Sequence, residues 1–258
     1  GNWTLDFAAG RIEADRFLSD AGVAAYPHSL GTVVLTGKSG WTAVMFGATQ
    51  DPQGDSQAQA ADTDIVGDAS HGSLYTIFDD NGTVSTADDT LLFRIRIDNP
   101  TSTTYFGGIT AVGLDANADG KVDLFMSVDG RNNGQVLRLM DPGTGLNNSP
   151  STTSTSPLPT GWLANNGVYS FTSANYLVAG VDSTNDPHWT TGDDNDLLND
   201  GNPDAFVTWR ISVADLATVL AKPSPVDRNG NYGPRGASGI AGFTKDTAVR
   251  YVSFTATQ

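Results

Sequence analysis

The acidic side chains of this chain are almost all aspartate: Glu13 is the single glutamate against 28 aspartates among 29 acidic residues. Glutamate suits exposed helices, whereas the short aspartate carboxylate bonds back to nearby backbone N–H groups and so favours turns and helix starts over helix interiors. The imbalance predicts few helices and many Asp-bearing turns. Between those turns, short apolar, aromatic or β-branched stretches bounded by Gly, Asn, Asp and Pro read as strands. They lie at 3–7, 31–36, 41–46, 74–78, 91–97, 109–114, 124–128, 168–171, 206–211 and 248–254. Strands at this spacing predict an all-β fold, an antiparallel β-sandwich of jelly-roll-like form, with a β-barrel as the alternative.

One helix is legible. Ser212 stands as its cap with Asp215 three residues on; Val213, Leu216, Val219 and Leu220 share one face, and Lys222 and Pro223 end it. A second, weaker segment at 14–20 would stop at Gly22. At 258 residues the chain is long enough to bury one sizeable core, and a single domain over 1–258 is expected. The Ser/Thr/Pro-rich tract 147–160 is read as a surface loop, with a linker or an O-glycosylated stretch as its other uses. Residues 88–95 (DDTLLFRI) and 204–211 (DAFVTWRI) echo one another, which would suit related strands in two sheets; chance gives as much, and no repeat is read from it.

Charge narrows the partners. A formal net charge of −15 repels nucleic acid and anionic lipid, and makes cations the expected counterpart; a merely solubilising surface is the competing reading. No apolar run approaches the ~20 residues that span a bilayer, so membrane insertion is not expected. Cysteine is absent, so neither disulfides nor thiolate sites can staple long loops. A start at Gly1 suits removal of an export signal and equally a chain trimmed at that point; a secreted or cell-surface location is the expectation.

The residues that carry chemistry are in the loops. Segment 115–123 reads DANADGKVD, with oxygen side chains at positions one, three, five and nine and glycine at six. Ca²⁺ takes six to eight oxygens, and a tight loop whose alternate residues turn inward supplies them. Asp115, Asn117 and Asp119 would offer side-chain oxygens and Lys121 its carbonyl. Asp123 would bind directly or through water, Gly120 would permit the sharp turn, and Val122 would anchor the loop in the protein. These nine residues resemble the calcium loops of dockerins, thrombospondin type 3 repeats and the FG-GAP repeats of integrin-like propellers. The resemblance implies metal binding and no particular fold. An EF-hand would carry Glu at position twelve, where Met126 stands, and the flanks read as strands.

A second loop aligns on Gly201: Asp196, Asp200 and Asp204 fall at positions one, five and nine, Leu198 takes position three, and Asn199 could replace the missing ligand. Weaker clusters are Asp79, Asp80, Asn81 with Asp88 and Asp89, where Asn81-Gly82 is also a hairpin signal, and 227–231. His28, His71 and His188 form no metal pair or triad, and no nucleophile elbow, phosphate loop or dinucleotide fingerprint is present. Together these features predict a secreted, calcium-stabilised structural protein of a cell surface, extracellular filament or biofilm matrix. Self-association would run through edge strands, for which the alternation of Trp3, Leu5 and Phe7 and of Val252 and Phe254 is suited. The alternatives are a calcium-dependent carbohydrate-binding module, with Trp162, Trp189 or Tyr232 stacking on polysaccharide, and a polysaccharide-acting enzyme.

Overall fold

A computed structural model describes residues 33, 35–37, 40–46, 64–98, 106–131, 135–143, 155–182, 195–197, 201 and 203–256. In chain order the elements are β1 (Thr42–Phe46), β2 (Gly72–Asp79), β3 (Thr90–Ile97), β4 (Ile109–Asp115), β5 (Leu124–Asp129), β6 (Val136–Pro142), β7 (Thr155–Pro157), β8 (Val168–Tyr169), β9 (Tyr176–Gly180), β10 (Ala205–Ser212), α1 (Val213–Leu220) and β11 (Arg250–Ala256). They form two antiparallel sheets, β1-β2-β3-β10-β9 and β11-β4-β5-β6-β7, with β8 also pairing with β6. The fold is an all-β sandwich without barrel closure. Each sheet begins as a meander and is completed by a strand from the C-terminal part of the chain: β10 lies beside β3 and β11 beside β4.

Alternation along β3 shows why these residues make a two-faced strand. Leu91, Phe93, Ile95 and Ile97 enter the core between the sheets, where Phe93 meets Tyr251 of the opposite sheet edge-on at 5.4 Å. Leu92, Arg94 and Arg96 face the other way and are equally buried. On that outer face the Arg94 guanidinium lies 4.1 Å from the Trp41 ring and 5.0 Å from Phe206, and donates to Thr208 Oγ1 at 3.2 Å and to the carbonyls of Leu35 and Gly37. Leu35, Gly37 and Trp41, ahead of β1, therefore cover part of a face that would otherwise expose apolar surface and the Arg94 charge.

The predicted helix forms as α1: Ser212 Oγ accepts from the Asp215 N–H at 3.2 Å, and the four apolar residues of its face are buried. Other expectations change. The strand at 168–171 is only β8, and Leu35 and Thr36, read as strand, lie in a turn. The tract read as a surface loop ends as β7, paired with β6, and Leu158 beside it is buried. The echoing segments are direct neighbours in one sheet, Arg94 opposite Thr208, rather than equivalents in two. Strands β6 and β9 were not read from the sequence. The strand at 3–7, the helix at 14–20 and residues 147–154 lie outside the described residues. No helix among the described residues is long and apolar enough to cross a membrane.

Candidate metal centre

Loop 115–123 joins β4 to β5, and the last paired residues, Leu114 and Leu124, bring its ends together. Closure is completed by the Asp123 N–H, which donates to the Leu114 carbonyl at 2.7 Å. Inside, the loop is wound by its own side chains. Asp115 accepts from the N–H groups of Asp119 (3.1 Å) and Gly120 (2.9 Å), Asn117 Oδ1 from Asp119 N–H (2.9 Å), and Asp119 Oδ1 from Lys121 N–H (2.9 Å). The turn needs left-handed backbone at Ala118 (φ 59°) and Gly120 (φ 87°), the second being the conformation glycine adopts without strain. Val122 anchors the loop against Phe125 and Val252.

Asp123 is the decisive residue. It is 0% exposed; its Oδ2 accepts from Ala116 N–H at 2.8 Å, while its Oδ1 is buried with no hydrogen-bond partner. Burial, reinforced by the charges of Asp115 and Asp119, pushes its pKa up to about 7, against the Ala116 bond and the Arg235 charge. Asp115 is also raised, first by burial and then by Asp119. An orphaned carboxylate oxygen costs roughly 1–3 kcal/mol or more; a bound cation would remove both that cost and the mutual repulsion, as protonation does. The N–H bonds do not exhaust the donors, because a carboxylate offers about four lone-pair positions.

The second loop repeats this construction where it is described. Gly201, at φ 91°, donates its N–H to Asp196 Oδ2 at 2.8 Å, as Gly120 does to Asp115. Asp204 donates its N–H to the carbonyl of Asn195, the residue before position one, at 2.7 Å, and its Oδ2 accepts from position two, Leu197, at 3.3 Å. Like Asp123 it is 0% exposed with a buried Oδ1 that has no partner. Burial raises its pKa to about 6, with Asp196 adding to the rise and Arg96 opposing it. The difference is Arg96, which the sequence reading missed: it is itself 0% exposed, and its Nη2 and Nε lie 2.6 and 2.7 Å from Asp204 Oδ2. Asn199 and Asp200 lie outside the described residues.

In the other aspartate clusters Asp89 is buried, its pKa raised by burial and by the charges of Asp88 and Asp80, and the remaining acids have partners. Asp79 accepts from Asn81 and Val33 N–H groups and pairs with Arg210 at 3.3 Å, while Asp88 is held by Asn81 and Thr83. Asp227 accepts from the N–H of Asn229 and from both the N–H and side-chain amide of Asn231. Trp162, considered as a sugar platform, packs on the core and lies 5.6 Å from Arg235; Tyr232 is half exposed, and Trp189, His28 and His188 are outside the described residues. His71 is buried in a turn, its Nδ1 3.0 Å from Asp68. Among the described residues no three acidic or histidine side chains already converge as a finished metal cage. The loops present donors held by backbone, with one buried carboxylate oxygen each left over. No protein-family model, curated protein or solved structure matches the chain.

Proposed function

We propose that this chain is a calcium-stabilised structural β-sandwich working outside the cell, on a surface, in a filament or in a biofilm matrix. Ca²⁺ would staple the β4–β5 loop through Asp115, Asn117, Asp119, the Lys121 carbonyl and Asp123. The loop of Asp196, Asn199, Asp200 and Asp204 would serve as a second, weaker site. The observation that carries the reading is the buried, partnerless Oδ1 of Asp123 in a loop of calcium-ligand spacing. With no cysteine in the chain, disulfides cannot tie such loops, and a metal staple would add to the hydrogen bonds that hold them. A site that binds only the folded state stabilises it by about 2.7 kcal/mol at a hundredfold excess over Kd, and millimolar calcium outside cells suits modest affinity.

Assembly through edge-strand pairing belongs to the same reading, supported by the position of β11 at the end of its sheet and by the strand-like pattern at 3–7. Melting curves in calcium and in EGTA test the metal, and coincident curves would refute it. Electron microscopy and sedimentation in millimolar calcium test assembly. Polymers unchanged by deletion of residues 1–8 would remove the N-terminal version of it.

A further inference from the structure

We infer that Arg235 is the positioning residue of the 115–123 metal loop, and that calcium binding there is coupled to docking of the connection 221–243; the inference rests on the calcium reading above. Arg235 is 4% exposed. Its Nη1 donates to the carbonyl of Asp123, its Nη2 to the carboxylate of Asp141 on β6, and its Nε to the carbonyl of Lys222 just past α1 at 3.2 Å. Its backbone N–H donates to Ser224 Oγ at 2.9 Å, and its guanidinium faces Trp162. One planar group thus ties the loop, the second sheet and the end of the helix together, a fork that the point charge of lysine does not reproduce.

Its aim distinguishes orienting from competing. Arg96 grips the carboxylate of Asp204, whereas Arg235 takes the main-chain carbonyl of Asp123 and gives its charge to Asp141. Asp123 then has its N–H on Leu114, its carbonyl on Arg235 and its Oδ2 on Ala116, so Oδ1 is held in place and left for a cation. Neighbours that orient a metal ligand typically account for ~10–100-fold in affinity. Coupling is reciprocal, so calcium must hold Arg235, and the connection that carries it, by the same factor.

The test uses the full chain and calcium alone, titrated in competition with a chromophoric chelator. Arg235→Met should weaken calcium binding ~10–100-fold while the circular dichroism of the fold persists, and Arg235→Lys should recover only part of it. Calcium should slow trypsin cleavage after the exposed Arg228 in the parent chain and do so much less in Arg235→Met. If Arg235→Met does not fold, Ser224→Ala, which loosens only the backbone of Arg235, should weaken binding in the same direction by a smaller factor. Parent-like affinity in a folded Arg235→Met, or in Ser224→Ala where the former fails to fold, overturns the inference. A parent chain that binds no calcium overturns the calcium reading itself, and the inference with it.

Discussion

Loops 115–123 and 196–204 share a left-handed glycine at position six, its N–H on the first aspartate, and a buried ninth aspartate with one oxygen unclaimed. They differ in what neutralises that ninth residue. The Asp123 carboxylate accepts the Ala116 N–H and feels the Arg235 charge without pairing with it, while Asp204 shares a buried ion pair with Arg96. The same winding therefore leaves the buried Asp123 carboxylate without an ion-pair partner and gives Asp204 one from β3. A ligand spacing alone does not rank two sites; the charge facing the buried carboxylate does.

The comparison breaks first at Asp204. Asp204→Ala strands Arg96 in the interior, and losing one partner of a buried pair costs about 3–5 kcal/mol. At roughly 2–4 °C per kcal/mol for a chain of this size, the melting temperature should fall by on the order of 10 °C, most of it in EGTA as well as in calcium, with only the small share of the weaker site confined to calcium. A loss seen only in calcium would mean that the metal, not Arg96, balances this loop.

Calcium removal comes next. EGTA should cost about 2.7 kcal/mol per site filled at a hundredfold excess over Kd. Asp119→Ala should reproduce much of that loss and leave little further response to EGTA, because it removes a central donor of the first loop. If Asp119→Ala melts like the parent in calcium while EGTA still destabilises both, the dominant site lies elsewhere.

The pattern of these loops was legible, the buried charges that face them were not. Asp115 to Asp123 and Asp196 to Asp204 could be found because ligand spacing is local in sequence. Arg96 and Arg235 could not, since they reach Asp204 and Asp123 across separations of 108 and 112 residues. The fold follows the same division. The β3 alternation and the Ser212 cap are local and were readable, whereas β6 carries Arg138, Asp141 and Pro142, and β7 lies in a Ser/Thr/Pro tract, so their strand character depends on pairing. The arginines that look exposed in the alternation of β3 are buried by residues distant in sequence, Arg94 under Leu35, Gly37 and Trp41 and Arg96 against Asp204, which no period-two pattern reports.

Acidity gives a gentler handle on the same contrast. Both ninth aspartates have folded pKa values raised above the unfolded one, to about 7 for Asp123 and about 6 for Asp204. Raised carboxyls favour the folded state while protonated, so that contribution is present below about pH 4 and is lost as pH climbs through 6 and 7. In EGTA, stability owed to these residues should decline over that window, and Asp123→Asn should flatten the upper part of the decline. In calcium the trend should weaken, since the metal binds the ionised form and expels the proton. Calorimetry near pH 6 in buffers of different ionisation enthalpy should register proton release on calcium binding; none would place the ion away from Asp123.

The smallest effect belongs to a turn that resembles these loops only in composition. Asp227 is half-buried at the surface, and its carboxylate is already occupied by Asn231 and Asn229, whose hydrogen bonds hold its pKa below the usual carboxylate value. Nothing there is buried without a partner, so no cation is required. Asp227→Ala should lower the melting temperature only slightly, by the same amount in calcium and in EGTA, and leave the number of bound calcium ions unchanged. A calcium-dependent loss at Asp227 would show that aspartate density, rather than an unsatisfied buried oxygen, selects the sites.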